Sequence, residues 1–160
     1  MYKKLTVISI ALLVSACSSH GDHEQNKQAM SAKAEGQMST LAVNEQALKH
    51  HHWQLTHIDG EAIVTQPNFK APTLEVGENM TTNGNAGCNN FFGQGELKQG
   101  SFRIEQMGMT MKMCPEEVMS TEMTYAKALS LWNTVTLTQQ SLELKSAEHT
   151  LTFTLKDWVN

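Results

Sequence analysis

The residues able to do chemistry in this chain fall into a few short groups. Cys88 and Cys114 are thiols that can act as nucleophiles, metal ligands or disulfide partners, depending on the compartment. Gly84, Gly87 and Gly93 surround Cys88-Asn89-Asn90. Glycine lets backbone approach a ligand, and asparagine tolerates left-handed conformations. Such a segment is either a ligand-binding turn or a tight structural turn that positions the cysteine, and the second reading is the simpler. It is not a phosphate loop, since neither Gly-Lys-Ser/Thr nor a helix follows it. Met107, Met109, Met111 and Met113 alternate, so on one strand all four would share a face. Thioethers favour soft ions such as Cu(I) or Ag(I), although adaptable methionines more simply fill an irregular core. His50-His51-His52 and His57 invite a metal assignment. Adjacent histidines on a strand alternate faces, however, and no third ligand lies nearby in sequence. Glu122 stands among apolar residues, either as a base or as an acceptor of N–H bonds from the Gly87–Asn90 turn. No Gly-x-Ser-x-Gly or His-Glu-x-x-His pattern occurs. The expectation is no catalytic residue, no cofactor and no metal.

Composition narrows the partners. A single arginine, Arg103, on a chain of net charge −4 argues against nucleic-acid binding, which favours the forked guanidinium. Asp22, Asp59 and Asp157 are the only aspartates, so carboxylate pairs for acid–base work are scarce.

Elements must position these groups. Alternation in Trp53–His57, Leu74–Val76, Phe102–Ile104, Val135–Leu137, Leu142–Leu144 and Leu151–Leu155 predicts half-buried strands. Asp59-Gly60, Asn83-Gly84, Gln99-Gly100 and Ser146–His149 supply turn signals. Pro115-Glu116-Glu117 suits a helix start, and Val118, Glu122, Tyr125, Leu129 and Trp132 then fall on one helical face. The fold class is mainly β with one α-helix. Seven or eight strands and a single covering helix predict a small antiparallel barrel.

The first residues read as a secretory signal: Lys3-Lys4, an apolar run over Leu5–Val14, then Ser15-Ala16-Cys17. Val14-Ser15-Ala16-Cys17 resembles the lipobox of bacterial lipoproteins, which implies cleavage before Cys17 and acylation of that cysteine. Ser18, where an inner-membrane retention signal would place aspartate, implies the outer membrane. Acyl chains anchor a protein without any spanning helix. Loss of residues 1–16 would leave ten basic and sixteen acidic residues, or −6. With Cys17 acylated in an oxidising envelope, Cys88 and Cys114 read as a disulfide, a redox switch or metal thiolates being the alternative. Residues 17–47 are polar and lack aromatics, which predicts a lipidated N-terminus and flexible tether, with a short helix near Leu41–Leu48 as the competing reading. Residues 48–160 form the domain.

Asn83-Gly84-Asn85-Ala86-Gly87-Cys88-Asn89-Asn90-Phe91-Phe92-Gly93 resembles the signature of the META domain, the family of heat-inducible, HslJ-like envelope lipoproteins. Trp53-Gln54-Leu55, Thr110–Cys114, Glu122–Tyr125 and the Leu142–Leu144 and Leu151–Phe153 pair follow the same pattern. Gln94-Gly95 and Met109 depart from it. The resemblance implies a small β-barrel-like fold and a role in envelope stress or antibiotic tolerance, and it supplies no catalytic residues. The expected protein is a monomer, held to the outer membrane by lipid and facing the periplasm, that binds an envelope protein or a small apolar ligand. The alternative is a soft-metal module built on the Met107–Met113 face.

Overall fold

The computed structural model describes residues 39–158. The expected signal peptide at 1–16, the expected lipidation at Cys17 and the expected tether as far as residue 38 lie outside the described residues. Alternation becomes strand wherever it was expected. β1 (His51–Ile58), β3 (Thr73–Val76), β6 (Ser101–Met109), β7 (Asn133–Leu137), β8 (Ser141–Lys145) and β9 (Thr150–Trp158) carry the period-two runs, joined by β2 (Glu61–Ala62), β4 (Thr81–Asn85) and β5 (Asn90–Lys98). All pairings are antiparallel, in the order β2-β1-β3-β4-β5-β6-β7-β8-β9. β1 also pairs with β9, from His51 opposite Trp158 to Ile58 opposite Leu151. This closes eight strands into a barrel, with β2 as a short flap on the end of β1. Closure removes the sheet edges that would otherwise need covering.

Two of the expected turns are built from left-handed pairs: Asp59 and Gly60 have φ of 53° and 82°, and Gln99 and Gly100 have φ of 49° and 76°. Positive φ at both central residues matches hairpin twist. Asn83-Gly84 is not a turn; it lies inside β4, and the chain reverses at residues 86–89 instead. Gly84 is needed for close approach, because a Cβ there would collide with the Thr73 carbonyl and the Phe91 ring.

The main helix, α2 (Glu116–Ser130), buries Val118, Glu122, Tyr125, Ala128 and Leu129. Tyr125 is fully buried, with its ring 6.0 Å from Phe91 on β5 and 6.1 Å from Phe153 on β9; its hydroxyl donates to the Thr73 carbonyl of β3 at 3.1 Å. One side chain touching three separated strands places α2 across an open end of the barrel. Trp132, expected on the helical face, lies beyond the helix end and is 38% exposed. The Arg103 guanidinium sits 4.5 Å from its ring centre. Where the helix stops, Asn133 Nδ2 donates to the Ala128 and Leu131 carbonyls at 2.9 and 2.6 Å, adding to the Leu131 N–H that Ala128 O accepts at 3.2 Å.

A one-turn helix, α1 (Glu45–Leu48), precedes the barrel, with Asn44 as its N-cap. Leu48 is buried, Val43 and Ala47 pack on the core, and the Leu41 N–H donates to Leu137 O at 2.8 Å. Residues 41–47 are therefore docked on the domain, where the tether was expected to extend to 47. Among the described residues, no helix is long and apolar enough to cross a membrane.

Candidate functional site

The 86–89 turn brings the expected site residues together. Cys88 and Cys114 form a disulfide, with Cα atoms 6.2 Å apart, tying the turn to the residues just before α2. Asn89 is buried beside them at 2% exposure. Its N–H donates to Glu122 Oε2 at 2.6 Å and its Nδ2 donates to Glu122 Oε1 at 2.9 Å. Nδ2 also donates to Lys112 O at 3.2 Å, while Oδ1 accepts from the Lys112 N–H at 2.7 Å and the Thr110 hydroxyl at 2.9 Å. An amide side chain offers two donor hydrogens and two acceptor lone pairs, so Asn89 is fully satisfied. Glu122, at 6% exposure, has both carboxylate oxygens engaged by one residue. A buried carboxylate needs such partners. In this cluster Glu122 accepts N–H bonds from the turn, and among the described residues no companion acid or base hydrogen-bonds to it.

Gly87, at φ 114°, adopts a backbone that L side chains rarely take. Its N–H donates to Asn85 Oδ1 at 2.8 Å, and Asn85 Nδ2 donates to Asn90 Oδ1 at 2.9 Å. Gly93 opposes a bulge: Phe92 pairs with Gly108 and Gln94 with Glu105, leaving Gln106 and Met107 across from one glycine. A Cβ on Gly93 would stand 2.5 Å from Ile104 Cγ2.

That bulge corrects the reading of the methionines. The extra residue shifts the strand's parity, so after Phe102 and Ile104 it is Met107 and Met109 that pack on the core. β6 then ends at Met109, and Met111 and Met113 stand 97% and 95% exposed beyond it. The four do not share one strand face. The histidines also diverge: His50 bonds Glu78 at 2.9 Å, His52 bonds Asp157 at 2.9 Å, and His51 stacks on Trp53. Among the described residues, no group of three His, Cys, Asp or Glu is placed to hold a metal.

Other surface charges are locally paired. His149 hydrogen-bonds Asp59 at 2.7 Å and, with the Thr150 N–H, holds that carboxyl below its usual range. Lys49 lowers Glu78 by its charge, and the Lys127 hydrogen bond lowers Glu148.

Two grooves flank the signature segment. One, of about 560 Å³, runs between the 63–72 loop and α2, with Ile63, Phe69 and Val118 among its apolar walls and Gly87 also lining it. The other, of about 470 Å³, lies outside the barrel and is lined by Asn83, Gly84, Asn85 and Asn90 of the signature itself, with residues of β1 and β3. The outward roles of Asn83 and Asn85 escaped the sequence reading, as did the cap at Asn133. Placing Asn83-Gly84-Asn85 in a strand rather than a turn would have shown both asparagines on one face.

A family model described as the META domain matches residues 46–158. Heat shock protein HslJ of Escherichia coli (strain K12) is 27% identical over 161 residues, covering the whole of both chains. A protein solved by NMR superposes with a TM-score of 0.61 at 30% identity, covering 71% of this chain and 96% of that one. Another NMR structure, from Burkholderia xenovorans, gives a TM-score of 0.60 at 23% identity over 74% of this chain and 94% of its own.

Proposed function

The chain belongs to the META domain family, and on that premise we propose that it is a non-catalytic lipoprotein of the heat-shock and envelope-stress response. Acylated at Cys17 and held to the outer membrane, the domain faces the periplasm and acts by binding an envelope component. The observation that carries this reading is the engagement of Glu122. Both oxygens of this buried carboxylate are bonded by Asn89, so the signature's chemistry maintains shape. What it maintains is a turn with a groove on either side. The lipobox-like Val14–Cys17 and the relationship to a heat shock protein support the setting.

Crosslinking in intact cells, followed by identification of the captured species, tests this directly. A discrete envelope component caught by the acylated protein, and lost or reduced with Cys17→Ala, is the expected result. Identical, non-specific capture by both forms overturns it, as does turnover of a substrate that is abolished by Glu122→Gln while the fold is retained.

A further inference from the structure

The outer face of β1, β3, β4 and β5 carries a hydrogen-bonding surface that the cluster around Asn89 does not use. Directly opposed residues in antiparallel strands share a face. Registers of His52 with Glu75, Glu75 with Asn83 and Asn83 with Phe92 therefore lay one row across four strands. A second row runs beside it: Gln54 opposes Thr73, the Thr73 hydroxyl accepts from the Asn85 N–H at 3.1 Å, and Asn85 opposes Asn90. Four amides and a hydroxyl make up most of these two rows, with His52, Glu75 and Phe92 beside them.

Its asparagines differ from Asn89 in what remains open. Asn85 receives the Gly87 N–H and donates to Asn90 Oδ1, which orients the Asn90 amide. Among the described residues, neither the Asn83 amide nor Asn90 Nδ2 has a hydrogen-bond partner, and both residues are exposed. Phe92, beside Asn83, is 65% exposed. Its ring lies over Gly108, where a Cβ would stand 2.5 Å from Phe92 Cζ. With its tip against a glycine, the ring stays largely open to solvent. Strands about 4.8 Å apart, with same-face residues about 6.8 Å apart along each, put these amides and this ring within the footprint of one or two sugar rings.

We propose that this outer face, the groove together with Phe92 beside it, binds a saccharide. Planar amides bond vicinal hydroxyls, an aromatic face takes the apolar C–H face of a pyranose, and Glu75 accepts a further hydroxyl. Lys70 and Lys156, at the groove's edge, favour a sugar bearing a carboxylate or phosphate. An apolar ligand would leave the exposed amides without partners, and one carboxylate, Glu75, facing two lysines supplies too little negative charge to hold a metal ion. The proposal rests on the reading that the domain binds an envelope component, and it names that component's class as glycan.

The test titrates the full chain, in detergent, with N,N′,N″-triacetylchitotriose, N-acetylmuramic acid and inorganic phosphate, following amide signals by NMR. Expected are saturable shifts at Asn83, Asn85 and Asn90 with Kd on the order of millimolar or tighter. The acidic sugar should bind several-fold better than the neutral one, and Lys70→Ala with Lys156→Ala should erase that preference. Phe92→Ala and Asn83→Ala should each weaken binding about tenfold with melting unchanged. Phosphate binding as tightly as the sugars, no saturable shift, or shifts confined to the Ile63–Phe69–Val118 groove would overturn the proposal. If crosslinks from position 92 in cells catch a protein while the sugars do nothing, the groove assignment fails and the binding role stands. If neither sugar nor any partner is found, both fail.

Discussion

Asn89 joins three segments through its own backbone and amide: the 86–89 turn, residues 110–112 and α2. Replacing it with alanine keeps one backbone donor to Glu122 but removes the other, and it frees the Lys112 N–H and the Thr110 hydroxyl. Leaving a buried carboxylate half-paired is costly, so Asn89→Ala should destabilise by about 3 kcal/mol or more. Urea denaturation with an unchanged m-value is the check, and a loss within experimental error would refute the role assigned to this residue. The Gly-Cys-Asn-Asn string and the isolated Glu122 were both legible as a structural pair in the sequence. What could not be read was which of the two asparagines faces inward, since that depends on where β4 stops and the chain reverses.

Among the elements, α2 shows how a helix can complete a barrel. Its start at Pro115-Glu116-Glu117 and its buried positions follow the 3.6-residue period, with Ala128 completing the face that Trp132 leaves. Tyr125 reaches from this helix into the barrel, and burial holds its phenol well above the ordinary value of 10.0. Below that value, neither the folded nor the unfolded state is ionised. Above it the unfolded chain gives up the proton while the folded chain keeps it, so stability falls as pH rises from about 10 towards the raised folded value. Denaturation midpoints measured between about pH 8 and 11 should show this slope, and Tyr125→Phe should flatten it while losing about 1 kcal/mol for the bond to Thr73. In a Tyr2→Phe background Tyr125 is the only tyrosine, so tyrosinate absorbance reports it alone. Ordinary titration near pH 10 without unfolding would contradict the plug. The β6 bulge is the counter-example to reading by period. Alternation carried past Ile104 puts Gln106 inside, and only pairing against Gly93 reveals the extra residue that brings Met107 and Met109 in instead.

For the whole molecule, closure and cross-linking act together. The Cys88–Cys114 bond spans 26 residues and encloses β5, β6 and the bulge. In the chain-entropy description a loop of that size contributes about 3.5 kcal/mol, so Cys88→Ser with Cys114→Ser should lose roughly that much. Comparing melting of that double variant with the parent, oxidised and reduced, measures it. Equal stability of all three would show that the bond contributes nothing to holding the barrel. Strand positions, the main helix, the class of fold and its family resemblance were available from residue types and spacing, because alternation, caps and turn dipeptides are local properties of the chain. The pairing of β1 with β9, the docking of residues 41–47, the dispersal of the methionines, and the polar groove on the outer wall were not. Each of these depends on register between segments far apart in sequence, and a strand's neighbours are chosen by packing that no local pattern encodes. The cysteines and glycines announced a tight, anchored turn; folding gave that turn an inward side devoted to structure and an outward side open to solvent.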